Sequence, residues 1–82
     1  MSMKIMLPMA PSAGREYAVT WTEQQALAGR YGMTIDAVRA CMNDLRVLMS
    51  NGDIAPQKTG NKTKAIISSH IERSNATGRQ GA

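Results

Sequence analysis

The spacing of apolar positions changes period twice along the chain. Tyr17, Val19 and Trp21 alternate with polar or small neighbours, which predicts a short strand. The segment "TWTEQQALAGRYG" then reads as a helix. Thr20 with Glu23 and Thr22 with Gln25 both have capping-box spacing, so the helix starts between Thr20 and Glu23. Glu23 complements the positive end of the dipole, and Gly32 supplies the residue type that most readily ends a helix in the left-handed conformation. Thr34 caps a second helix whose first turn holds Asp36, and this helix should reach about Asn51, with Gly52 beyond its end. At 1.5 Å per residue it is about 25 Å long. On a helical wheel Val38, Cys41, Met42, Leu45, Leu48 and Met49 fall within an arc of about 120°, and Asp36, Arg39, Asn43, Arg46 and Ser50 within about 80° to one side. The second helix therefore carries a core stripe, in which Cys41 is a small buried residue, and a separate polar stripe.

Beyond Gly52 the pattern returns to short apolar runs. Ile54-Ala55 reads as a strand interrupted by Pro56, as an edge strand tolerates. Gly60-Asn61 is a turn signal, and "AII" resumes a strand. This predicts a β-hairpin whose tip is basic, with Lys58, Lys62 and Lys64 and no acidic residue between Ile54 and Ile71. Residues 1–15, with Pro8, Pro11 and Gly14 and no clean period, read as a flexible N-terminal arm. Residues 74–82 are polar and contain glycine, which predicts a disordered tail. The folded domain is expected over 16–73.

Composition narrows the chemistry. A chain of 82 residues forms at most one small domain, which buries only about 60% of its unfolded surface. One cysteine, Cys41, rules out an internal disulfide or a cysteine zinc site. The single histidine, His70, lies in a serine-rich stretch and is expected at the surface. The six acids are spaced singly, and no nucleophile motif or phosphate loop is present. No enzyme activity, metal or cofactor is expected. The run from Ile5 to Ala10 is broken by Pro8 and is too short for a signal peptide, and no stretch has the length of a membrane span. A cytoplasmic protein is expected. The formal charge of +4 suits a phosphate-bearing partner without by itself pointing to one.

The corner at Gly32 narrows the reading further. A helix-turn-helix needs a small residue where the second helix crosses the first, and Ala28 is there. Its turn needs a residue tolerant of positive φ, and Gly32 provides it. Leu27, Tyr31, Met33, Val38 and Cys41 stand where apolar side chains must fill the angle. The pattern holds across the twenty residues from Gln24 to Asn43 with no proline. Through Leu27-Ala28, Gly32, Thr34, Val38-Arg39, Leu45, Gly52, Ile54 and the hairpin-tip glycine, about half of the chain resembles the winged helix-turn-helix of bacterial regulators, most closely the gluconate-repressor (GntR-like) type. The resemblance implies an α+β, mainly α fold: a short strand, two helices and a β-hairpin wing. It implies that the second helix enters the major groove of double-stranded DNA. Thr34, Ile35, Asp36, Arg39, Ala40 and Asn43 would then face bases, Arg39 suiting guanine and Asn43 adenine. Arg46 would reach the backbone, and Lys58, Lys62 and Lys64 would touch phosphate or the minor groove.

Two features depart from that family. Asp36 places a carboxylate where neutral or basic residues are usual. The helix that normally precedes "TWTEQQ" is missing, which would leave apolar surface on the two helices uncovered and so predicts a homodimer, matching a palindromic site. The expected function is a small sequence-specific transcriptional regulator, of the phage or plasmid repressor kind, acting by occupancy. With no ligand domain, a small-molecule effector is not expected. A protein-binding module that inhibits or adapts a host complex, or an accessory factor in replication or recombination, remain as alternatives. At the level of residues, Arg39 on a solvated helix face and lysines that merely protect an edge hairpin are the competing interpretations.

Overall fold

The computed structural model describes residues 3–80, with side chains through residue 75. Two strands, β1 (Ile5–Leu7) and β2 (Tyr17–Val19), pair antiparallel with Ile5 opposite Val19 and Leu7 opposite Tyr17. Three helices follow: α1 (Trp21–Tyr31), α2 (Ile35–Ser50) and α3 (Gly60–Gln80). The architecture is α+β and mostly helical, with α2 at the centre: α1, α3 and β1 all pack against it.

The ends of α1 and α2 form where local chemistry places them. Thr20 Oγ1 accepts from the Glu23 amide at 3.1 Å, and Thr34 Oγ1 accepts from the Ala37 amide at the same distance. Gly32 takes φ +62°, and the amides of Gly32 and Met33 both close on the Ala28 carbonyl. A side chain at Gly32 would meet no steric block but would strain the backbone, so glycine is there for its torsion. The core is Ile5, Leu7, Val19, Leu27, Ala28, Val38, Met42, Leu45, Met49, Ile67 and Ile71. Each large aliphatic side chain among them contributes about 1.5–3 kcal/mol by leaving water.

Three expectations are corrected. Residues 5–7 are not part of a flexible arm: Ile5 and Leu7 point into the core and their backbone pairs with β2. A 3-10 turn over Pro11–Ala13 joins the strands, and the Ala10 amide donates to the Gln57 carbonyl, fastening this connection to the loop after α2.

The hairpin over 54–67 does not form. Ile54 packs on the core, but residues from Gly60 onward are helical. Thr59 caps this helix, its Oγ1 accepting from the Lys62 amide at 3.2 Å. Thr63, Ile67, His70 and Ile71 then form one buried stripe of helical period. An isolated hairpin is marginal in water, whereas the helix buries two isoleucines, so the longer period wins. The helix also continues through residues 74–80, where a disordered tail was expected; residues 81 and 82 lie outside the described ones.

Finally, β1 and α3 pack on α2, and their buried residues join those of α1 and α2 in one core.

Candidate nucleic-acid interface

The corner places α2 with one face in the core and the opposite face in solvent. Val38, Met42, Leu45 and Met49 are buried, while Asp36, Ala40, Asn43, Asp44, Val47 and Ser50 are exposed. Leu27, Ala28 and Val38 fill the angle between the helices, with Tyr31, Met33 and Cys41 half-buried around them. The outward face begins at the N-cap, where helix amides and the positive end of the dipole are available to an anion.

The site residues expected from the sequence divide into three groups. Thr34, Asp36, Asn43 and Arg46 are exposed along α2 and its cap. Ile35 is half-buried and packs on the core, so its side chain is turned away from that face.

Arg39 is half-buried and committed inward. Its Nη1 donates to the Met3 carbonyl at 2.7 Å and to Gln24 Oε1 at 2.9 Å. The fully buried Gln24 amide in turn donates from Nε2 to the carbonyls of Met3 and Val19, both at 2.9 Å. This network joins the start of β1, the end of β2, α1 and α2. It satisfies a buried amide that would otherwise cost about 1–3 kcal/mol. Sequence reasoning missed Gln24; a polar residue in the first turn of a helix gives no local sign that a strand carbonyl will reach it.

The lysines are not brought together. Lys58 lies in the loop between α2 and α3, and Lys62 and Lys64 are exposed in the first turns of α3. Two positions along a helix differ by about 160° around its axis, so Lys62 and Lys64 project to different sides. The wing they were expected to form is absent. Among the described residues, Arg30, Arg46, Lys58, Lys62 and Lys64 form no ion pair, which leaves their charge available.

His70 corrects another expectation. It is 7% exposed and faces α2, its Nε2 standing 3.1 Å from Asp44 Oδ2 but out of line for a hydrogen bond. Among the described residues no cluster of three or more metal-ligating side chains occurs, and no helix is long and apolar enough to cross a membrane. Compared with protein-family models, curated proteins and solved structures, the chain matches none.

Proposed function

We propose that α1 and α2 form a helix-turn-helix that binds double-stranded DNA, with the outward face of α2 in the major groove. One observation supports this most: a sixteen-residue helix is held by a capped glycine corner so that its leading turns present Thr34, Asp36, Ala40 and Asn43 to solvent. The major groove is about 12 Å wide and admits a single helix of this kind.

In this reading Asn43 is the strongest base reader, its amide matching the donor and acceptor of an adenine edge. Asp36 accepts from a cytosine amino group and disfavours other bases there. Thr34 and the α2 amides take a phosphate, and Arg46 takes another farther along. Arg39 holds α2 against α1 and β1, so any base contact from it would use the guanidinium edge away from Nη1. Regulation by site occupancy remains the simplest mechanism, and it needs no dimer.

A second reading has its own support. Val47 is 52% exposed on the outward face of α2, one turn from Asp44 and in line with Ala40 and Asp36 farther along, and an exposed valine beside carboxylates suits a protein surface better than phosphate.

Selection of bound duplexes from a random pool, repeated with Asn43→Ala, tests the proposal. The full chain should recover a motif, and the variant should lose its preference at one base pair, a discrimination of about 1–3 kcal/mol. Recovery of no motif, or of an unchanged one, removes α2 from the groove.

A further inference from the structure

A cavity of about 250 Å³ lies between α1 and α3, lined by Glu23, Ala26, Leu27, Arg30, Lys64, Ile67 and Ser68. Its origin is in the packing. Both helices rest on α2 and meet each other little along their middles. On α1 the lining follows one stripe at positions i, i+3, i+4 and i+7; on α3, at i, i+3 and i+4. Two tyrosine–glutamate contacts bracket it. Toward the N-terminal ends of both helices, Tyr17 OH donates to both carboxylate oxygens of Glu23, at 2.8 and 3.0 Å, and the Tyr17 ring lies beside Gly60. Toward the other end, Tyr31 OH donates to Glu72 at 3.1 Å.

The lining sorts by chemistry. Leu27 and Ile67 give an apolar floor, both nearly excluded from solvent. Arg30 and Lys64 approach from opposite helices and pair with no carboxylate among the described residues. The one carboxylate in the lining, Glu23, is engaged by Tyr17. Ser68 adds a hydroxyl.

We infer that this cleft is a binding site for a small organic anion: an aryl or branched aliphatic carboxylate of about ten heavy atoms, somewhat below the drug-sized class for which pockets run to about 300–1,000 Å³. The carboxylate sits between Arg30, whose planar fork matches it, and Lys64; the apolar body lies on Leu27 and Ile67. A bound ligand joins α1 to α3 across a gap the chain does not fill. This departs from the expectation that no small-molecule effector exists, and it does not rest on the DNA proposal, since none of the outward α2 residues lines the cleft.

The test is a titration of the full chain with phenylacetate and, separately, with its uncharged isostere phenylacetamide, followed by amide NMR. A ligand of this size at ordinary efficiency should bind with a Kd of about 1 mM. Phenylacetate should shift resonances around Ala26–Arg30 and Lys64–Ser68, and phenylacetamide should bind at least about tenfold more weakly, as the loss of a charge-assisted contact requires. Arg30→Met and Lys64→Met should each weaken phenylacetate similarly while unfolding at the wild-type temperature. Equal binding of acid and amide, shifts centred elsewhere, or no shifts at several times the expected Kd would overturn the assignment, and these outcomes are read on the unmodified protein.

Discussion

At the scale of single residues, the structure separates side chains that face outward from those that hold the fold. Arg39 and Asn43 lie one turn apart on α2, yet Arg39 is tied to Met3 and Gln24 while Asn43 is exposed. A wheel places them together because angle alone does not reveal a partner carbonyl 36 positions away. Tyr17 shows how such a contact becomes measurable. Burial first, and then its hydrogen bond to Glu23 and the charge of that carboxylate, raise the phenol above its ordinary value of 10.0. The folded chain therefore keeps this proton at pH values where the unfolded chain releases it. The stability this difference contributes is complete below the ordinary phenol value and falls as pH rises beyond it. Tyr17→Phe has no proton to lose. Its unfolding free energy, measured by urea titration, should start lower through the lost hydrogen bond, by about 1–2 kcal/mol. It should then decline less steeply than wild type above about pH 10. Parallel curves through that range would show that Tyr17 does not experience Glu23 in the folded chain.

Elements differ in how much of their cause is local. Thr20, Gly32 and Thr34 were legible because caps act within four residues, and α1 and α2 begin and turn where those residues dictate. β1 was not legible: three residues after a short N-terminal stretch become a strand only because Tyr17–Val19 offers a ladder and α2 offers a surface. The hairpin reading of 54–67 failed for a related reason. "AII" is too short to fix a period, and Gly60-Asn61 is a turn signal only if strands flank it. The deciding facts were Thr59 as a cap and the stripe Thr63, Ile67, His70, Ile71, whose value depends on α2 being there to receive it. Of the polar stripe on the wheel, Asp36, Asn43, Arg46 and Ser50 are exposed and Arg39 is turned inward, whereas the lysines expected on a hairpin lie in a loop and on α3. Ile71 provides the test at this scale. It is fully buried on α3, beyond any wing, so Ile71→Ala should cost about 2–5 kcal/mol. For an 82-residue chain that is a large part of a total near 5–10 kcal/mol. Chemical denaturation should show the midpoint falling sharply with an unchanged slope. A loss below about 1 kcal/mol would place Ile71 outside the core and leave α3 undocked.

For the whole molecule the question is whether its charge is arranged for phosphate or for protein. The formal charge of +4 is modest, and the outward face of α2 contributes Asp36 and Asp44 against it. What favours DNA is that Arg30, Arg46, Lys58, Lys62 and Lys64 form no ion pairs within the described chain, so none must first give up a carboxylate to reach a phosphate. What limits it is their dispersal, since Lys62 and Lys64 diverge around α3 and cannot both follow one strand of a duplex together with Arg46. These opposing terms predict a number. Neutralising about four to six phosphates gives a slope of about −3.6 to −5.4 in a plot of log affinity against log salt, so a fourfold rise in salt weakens binding by roughly 150- to 1,800-fold. A protein partner held through burial of Val47 would respond far less, because apolar burial is not screened by salt. Fluorescence anisotropy with a labelled random duplex, from low salt upward, separates the two. A steep slope that Arg46→Ala reduces by about one supports a duplex lying along α2. A shallow slope, or no binding at the lowest salt, leaves the outward face of α2 to the protein-binding reading, with Val47 as the residue to change next.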